Sequence, residues 1–279
     1  MLTSLPLRPI PPPIDYDKAN FHKVLEAAGK TVLRPGGSDA SDKLHSWASD
    51  ILTKEDSHVV ELACGLGNGG LSIAQTYGCH VLLTDMDESR LELAKQKAKK
   101  LDVNHLIDTQ RVDMFHDVDT LGTFDCAIIE ASLTHFERNK KRDILKGLSR
   151  HAPVLLIHEV CLVDCEEDSP DAKKLEKHMA KALRIGFFPE TMKRWEQLVQ
   201  DAGYQVDHHH HHVETGPLGL LKPVNIVKDE GVTGFLKILG ALVTNSDLRT
   251  RLKSTKKTVQ ENSKNLCYII IMASKNNVT

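Results

Sequence analysis

The sequence predicts a doubly wound α/β fold, a mostly parallel sheet with helices on both faces, and three observations carry that prediction. From His58 onward, short apolar runs alternate with amphipathic segments, the pattern of strands that are buried on both sides. One run, Val59-Val60-Glu61-Leu62, leads into a glycine-rich turn, Ala63 to Gly70, that opens a helix through Leu71, Ile73 and Ala74. The next run ends in an acid, Asp85, 20 residues after Gly65, where a nucleotide-type ligand site of such a sheet has its ribose-binding carboxylate.

The elements follow in order. Met1 to Asp15 is proline-rich, and Tyr16 to Gly29 then spaces Phe21, Val24 and Leu25 as one helical face. The loop Leu33-Arg34-Pro35-Gly36-Gly37 ends that helix. Ser38 or Asp39 is the expected N-cap of a second helix running to about Leu52, with Leu44, Trp47, Ala48 and Ile51 inward. Strands are expected at Val59 to Leu62, His80 to Thr84, within Leu106 to Val112, at Phe124 to Ile129 and at Val154 to His158. Ser89 to Lys100 reads as a helix with a solvated lysine face (Lys95, Lys97, Lys99, Lys100). Further on, Glu166 to Ile185 reads as a polar helix in a cap inserted at about 161–190, and Glu190 to Ala202 as another helix. Tyr204 to Val213 is strand-like, Leu248 to Ser263 is a basic helix and Leu266 to Ala273 a final strand. The expected organisation is a proline-rich segment and helical lid over 1–52, then one ligand-binding domain over 53–279 that carries the cap.

Composition narrows the function classes. A chain of 279 residues with 41% hydrophobic and 27% charged residues has ordinary globular composition. Lys+Arg 36 against Asp+Glu 38 leaves a formal charge of −2. With no basic field to hold a polyanion, a nucleic-acid partner is not expected. The opening has no continuous apolar core of a signal peptide, and stretches such as Gly234 to Val243 fall well short of the roughly 20 residues that span a bilayer. The expectation is therefore a cytoplasmic protein without a membrane partner, monomeric or homodimeric, its six scattered cysteines reduced. Cys161-x-x-x-Cys165 lacks further ligands, and the tract His208 to His212 alternates between strand faces, so no metal site is expected.

The glycine loop satisfies Gly-x-Gly-x-x-Gly at Gly65, Gly67 and Gly70, which with Asp85 also suits a dinucleotide. What separates the readings is Glu61, a carboxylate at the strand end four residues before Gly65. In this respect the sequence resembles the class I, Rossmann-like S-adenosylmethionine-dependent methyltransferases of small-molecule type. The resemblance covers roughly residues 57 to 160 through four ordered segments: Glu61 to Gly67, the strand ending at Asp85, Arg111-Val112-Asp113-Met114, and Phe124 to Ile129 with Leu133-Thr134-His135-Phe136. It implies S-adenosyl-L-methionine as cofactor, with Glu61 organising the methionine end and the turn of Ala63, Gly65 and Gly67 passing beside it. Asp85 would chelate the ribose hydroxyls with Met86 beside it, Asp113 would bind the adenine amino group, and Met114 would pack on the ring. Ala63 stands where the family most often has glycine, and Glu130 follows the fourth strand where its sequences vary. Arg34 to Gly37 resembles the segment before the first motif in small-molecule members, where a lid closes over the methionine moiety. Arg34 would pair with the carboxylate there, with Gly37 beside it. Gly216 to Leu221, continuing to Asp229-Glu230-Gly231, also resembles small-molecule members.

The implied activity is transfer of a methyl group to an O, N or S atom of a small-molecule acceptor held by the loops after Ile129 and Ile157. Such a displacement needs orientation first and a base only if the nucleophile loses a proton. His135 is the first candidate base, with His158 and Glu159 after the fifth strand as second choices, and a helix-capping role is the alternative for His135. Two other functions compete: a catalytically silent cofactor-binding module that regulates a partner, and an NAD-dependent oxidoreductase resting on Gly65, Gly67, Gly70 and Asp85.

Overall fold

In the computed structural model, which describes residues 14–53, 56–212 and 222–275, the expected alternation of strands and helices forms an eight-stranded sheet. The N-terminal elements are α1 (Phe21–Ala27), α2 (Gly37–Trp47) and α3 (Ser49–Leu52). The winding continues through β1 (His58–Leu62), α4 (Asn68–Tyr77), β2 (His80–Asp85), α5 (Glu88–Lys100), β3 (Ile107–Arg111), β4 (Cys126–Glu130), α6 (Arg138–Leu148) and β5 (Val154–Leu162). It ends with α7 (Pro170–Leu183), β6 (Glu190–Thr191), α8 (Met192–Asp201), β7 (Gln205–His212), α9 (Pro223–Thr244), α10 (Ser246–Asn262) and β8 (Leu266–Ser274). The strand order is β3-β2-β1-β4-β5-β8-β7, with β6 added beside β5. The first five strands are parallel; β8 runs antiparallel to both β5 and β7.

The order reverses between β1 and β4, so the crevice beyond their carboxyl ends is where an open α/β sheet binds ligands. Both strands end in an acid or next to one, Glu61 on β1 and Glu130 on β4. The residues following each strand, Ala63 (φ 50°) and Ala131 (φ 53°), are in the left-handed region, which explains why glycine suits position 63. Apolar side chains pack on both sheet faces: Ile144, Leu145, Trp195 and Leu198 on one, Leu44, Leu71, Ile73 and Leu91 on the other.

Several local expectations change. Helix α2 begins at Gly37, not after a Ser38 or Asp39 cap, because the Ser38 N–H and hydroxyl bond to Asp229 at 3.0 Å each. The helix also breaks at Ala48 before α3. Glu190 and Thr191 pair with β5 as a short strand, and Thr191 caps α8. The cap helix is confined to Pro170–Leu183, started by the Ser169 side chain accepting from the Ala172 N–H. Lys97 is not part of a purely solvated lysine face, since its ammonium donates to Asn68 of the glycine loop. Residues 223–244, unassigned from the sequence, form α9, kinked at Gly231. The proline-rich residues 1–13, Val213 and the segment Gly216 to Leu221 lie outside the described residues.

Gly70 fixes how closely α4 approaches the sheet. A Cβ there would sit 2.8 Å from Val81 Cγ1 and 2.9 Å from Glu61 Oε2, and would also meet Leu83. Gly70→Ala is expected to cost about 1–3 kcal/mol by overpacking, whereas Gly122→Ala, with nothing within 4 Å, should stay within about 0.5 kcal/mol of the parent. Thermal denaturation of the two variants checks this, and equal melting temperatures would contradict the packing argument.

Candidate functional site

A cleft of about 360 Å³ opens at the switch point, lined at one end by Gly65, Asp85 and Met86 and at the other by Arg34, Glu61 and Glu130. The glycine turn reaches it because Asp85 holds the turn from the next strand: its Oδ2 accepts from the Gly65 N–H at 2.8 Å and its Oδ1 from the Asp87 N–H at 2.9 Å. Gly67 lies behind this surface, at the α4 N-cap with φ 72°. Val112 and Met114 line the cleft, whereas Asp113 between them does not; its carboxylate accepts from the Phe115 N–H at 2.9 Å. Met86 is 54% exposed at the rim.

At the other end two carboxylates converge over the start of α4. Glu61 Oε2 accepts from the Gly70 N–H at 2.7 Å. A Cβ on Gly69 would lie 2.5 Å from Glu61 Oε1 and 2.8 Å from Glu130 Oε1, so both acids sit above that glycine. Their environments drive them apart. Burial, reinforced by the negative Glu130, pushes the Glu61 carboxyl up to about 8. Glu130 is held well below the ordinary carboxylate value: burial opposes its ionisation, but Arg34, the hydrogen bond from His158 and the nearby His45 outweigh it. Arg34 Nη1 lies 3.3 Å from Glu130 Oε1, His158 Nδ1 donates to Oε2 at 2.9 Å, the Ser41 hydroxyl donates to the same oxygen, and His45 Nε2 stands 3.6 Å from Oε1.

The two acids predict opposite pH behaviour. Glu61 has a folded value raised from 4.5 to about 8, so its contribution to stability is fully present below about 4.5 and is lost as pH rises through about 8. Glu61→Gln, which mimics the neutral acid, should match the parent near pH 5 and melt several degrees higher near pH 9, since each tenfold difference in proton affinity between the folded and unfolded chain is worth about 1.4 kcal/mol. Melting curves of the two proteins that run parallel between those pH values would show that Glu61 is not the group responsible.

The N-terminal segment is fastened from far along the chain. Lys30, 1% exposed, pairs with Asp229 at 3.0 Å and lies 3.6 Å from Glu230. The Glu230 carboxylate accepts from Thr31 N, Thr31 Oγ1 and Val32 N at 2.7, 2.8 and 3.0 Å. Gly36 and Gly37 have φ of 70° and 63°, and a Cβ on Gly37 would stand 2.6 Å from Asp229 Oδ1. Gly37 thus belongs to the clasp and does not line the cleft, while Asn68 ties the N-terminal segment to the glycine loop by donating to Thr31 O at 2.6 Å. Sequence reasoning misses Ser41, His45 and Lys30, whose partners Glu130, Asp229 and Glu230 lie far along the chain, 89 residues away for Ser41 and 199 for Lys30 and Asp229; the only signal it offers for the clasp is the grouping of Asp229 and Glu230 beside Gly231.

The three candidate bases separate. His158 and Glu159 are fully buried and line neither this cleft nor its neighbour. His158 is committed to Glu130. Glu159 accepts from Ser132 N, Leu133 N, Thr134 N and Thr134 Oγ1 at 2.6 to 3.1 Å, and so shapes the turn that carries His135. His135 alone of the three lines the cleft. It sits in a single 3-10 turn, Leu133–His135, and not at the N-cap of α6, which is Glu137. Its Nδ1 is 2.8 Å from Gly186 O, an acceptor only, so Nδ1 carries the hydrogen and Nε2 presents a lone pair.

Residues 59–153 match the family model described as "Methyltransferase domain". An uncharacterized protein of Haemophilus influenzae is 30% identical over 259 residues, covering 91% of this chain and 97% of that one. A SAM-dependent methyltransferase from Thiobacillus denitrificans, solved with S-adenosyl-L-homocysteine, is similar at a TM-score of 0.62 and 14% identity over 92% of this chain and 99% of that one. Phosphoethanolamine N-methyltransferase 2 of Haemonchus contortus, solved with phosphomonomethylethanolamine and S-adenosylhomocysteine, has a TM-score of 0.65 at 13% identity over 91% of this chain and 57% of that one. The likeness to the two solved structures is one of fold. The family model spans the glycine turn and the first four strands, so the chain carries a methyltransferase domain over residues 59–153, on the Rossmann-like fold of the class I S-adenosylmethionine-dependent methyltransferases.

Proposed function

We propose that this chain binds S-adenosyl-L-methionine in the switch-point cleft and transfers its methyl group to a small-molecule acceptor. One observation carries the reading. The cleft has a carboxylate, Asp85, at one end, and at the other a cluster whose Arg34 Nε and Ser132 Oγ are buried without hydrogen-bond partners and whose Glu130 Oε1 has no hydrogen bond beyond its ion pair with Arg34 at 3.3 Å. Buried polar atoms left without hydrogen bonds are costly, and an amino-acid zwitterion meets these: its carboxylate suits the guanidinium of Arg34, its ammonium the Glu130 carboxylate, with the carboxyl of Glu61 beside it. Asp85 retains lone pairs for two ribose hydroxyls, and Val112, Met114, Ala63 and Met86 supply apolar surface for the base. Asp113 flanks that surface from outside the lining.

When bound, the cofactor supplies an electrophilic methyl group. The chain holds and orients it and excludes water, which is the main requirement of a displacement. A formal charge of −2 and an apolar neighbouring cavity support a small molecule over nucleic acid as acceptor. The reading extends to action in the cytoplasm as a monomer or homodimer; no helix among the described residues is long and apolar enough to cross a membrane. Calorimetric titration with S-adenosylhomocysteine, with NADH as control ligand, tests the assignment. Saturable binding of the former alone is expected, and binding of NADH instead would reject it.

A further inference from the structure

Beside the cleft lies a second cavity of about 60 Å³, enclosed by α1, α7 and α10. Phe21, Leu33, Val160, Met179, Leu183 and Phe187 give it apolar walls. The two spaces share His22, Leu33, Ala131, His135 and Ile185, so they meet at His135. The polar side chains on its lining are few. Thr134 spends its hydroxyl hydrogen on Glu159 at 2.6 Å. Lys256 is exposed, so its head belongs to the mouth. His22 packs edge-on against His135, ring centroids 5.2 Å apart, and burial holds it neutral, its value brought down to about 3. Beside it, His135 Nε2 is buried without a hydrogen-bond partner. Burial also lowers the value of this imidazole, and the bond from Nδ1–H to Gly186 O fixes the tautomer.

Resting on the methyl-transfer reading above, we propose that this cavity is the acceptor subsite. Its substrate class is an uncharged, largely apolar molecule bearing one hydroxyl or thiol, which donates its hydrogen to His135 Nε2. An apolar enclosure with no charged group beyond the lysine at its mouth disfavours a cationic or anionic body. The buried, unpartnered lone pair of His135 Nε2 demands a donor on the ligand. In the reaction, the acceptor's O–H or S–H bond breaks as its proton passes to Nε2. The freed electron pair bonds to the methyl carbon, the carbon–sulfur bond of the sulfonium breaks, and its pair stays on sulfur as the neutral thioether. The imidazolium then returns its proton to water. His135 acts as general base, and Glu159 is a positioning residue that acts through the 132–134 turn.

The test is calorimetry on the full chain saturated with S-adenosylhomocysteine, using phenol and thiophenol against anisole, benzoate and benzylammonium. Phenol and thiophenol are expected to bind about tenfold tighter than anisole, the effect of one buried hydrogen bond with a ligand that can make it over one that cannot. Benzoate and benzylammonium should bind more weakly still. His135→Phe should erase the preference for phenol over anisole, and Leu183→Trp, which fills the apolar cavity away from the cleft, should abolish binding of both. Equal affinity for phenol and anisole in the parent, tighter binding of either ion, or a preference that survives in His135→Phe overturns the proposal. Failure of S-adenosylhomocysteine to saturate the protein would instead strike the cofactor reading on which it rests.

Discussion

Glu130→Ala is expected to lower the melting temperature at pH 7 by roughly 6–15 °C, the equivalent of about 3–5 kcal/mol for breaking a buried ion pair in a domain of this size. The substitution removes the partner of Arg34, whose side chain is only 11% exposed, together with the acceptor for Ser41 and for fully buried His158. These three come from the loop between α1 and α2, from α2 and from β5, so one carboxylate at the end of β4 ties three segments together. Glu130→Gln keeps an acceptor for Ser41 and His158 and should lose only part of this stability. The pH dependence has a definite sign. Because the folded-state value lies well below 4.5, the stabilisation is present above about 4.5 and vanishes as pH falls through the folded value. The gap between parent and Glu130→Gln should therefore close in acid. A melting temperature for Glu130→Ala within about 2 °C of the parent at pH 7 would show that the cluster contributes little.

Asp85→Ala should weaken S-adenosylhomocysteine binding by at least about 100-fold, while the chain stays folded. Two charge-assisted hydrogen bonds to ribose hydroxyls are each worth about 1.5–3 kcal/mol. The same carboxylate also holds Gly65 N and Asp87 N in place, so the turn loses its support along with the ligand's. Asp85→Asn retains one acceptor oxygen and should fall between. Titration calorimetry with circular dichroism as the folding control decides it, and near-parental affinity in folded Asp85→Ala would remove Asp85 from the ribose site.

The parallel part of the fold is legible in the sequence because four of its five strands carry their own signal, mainly apolar runs at 59–62, 80–84, 124–129 and 154–158, each close to an observed strand, while β3, with the sequence IDTQR, is legible only by its place in the alternation. The glycine turn and Asp85 are legible for the same reason, a local pattern of residue types at fixed spacing. The clasp is not. Lys30 with Asp229, and Thr31 with Glu230, are separated by 199 residues, and no local pattern encodes a pairing at that distance. Helix α9 escapes a sequence reading because Gly231, Gly234 and Gly240 dilute its periodicity, and Gly231 indeed breaks it with φ 69° and ψ 174°. His158 and Glu159 show the converse limit. Residue type and position after a strand make them candidate bases, but β5 is flanked by β4 and β8, which buries every residue along it. Their exclusion from the cleft depends on a neighbour, β8, that joins the sheet from more than 100 residues away.

The clasp on the N-terminal segment also sets an order of events during synthesis. The sheet that forms the floor of the cleft is complete as far as β5 by residue 162, and it can assemble while the chain is still being made. The ceiling cannot be latched until Asp229 and Glu230 have left the ribosome, and β8, whose Tyr268 packs under Gly36, follows later still. A nascent or truncated chain ending before residue 229 would carry the glycine turn and Asp85 yet leave Lys30 without either of its carboxylates. Competence to retain ligand is in this sense a late product of translation, gained when the last quarter of the chain closes over the first.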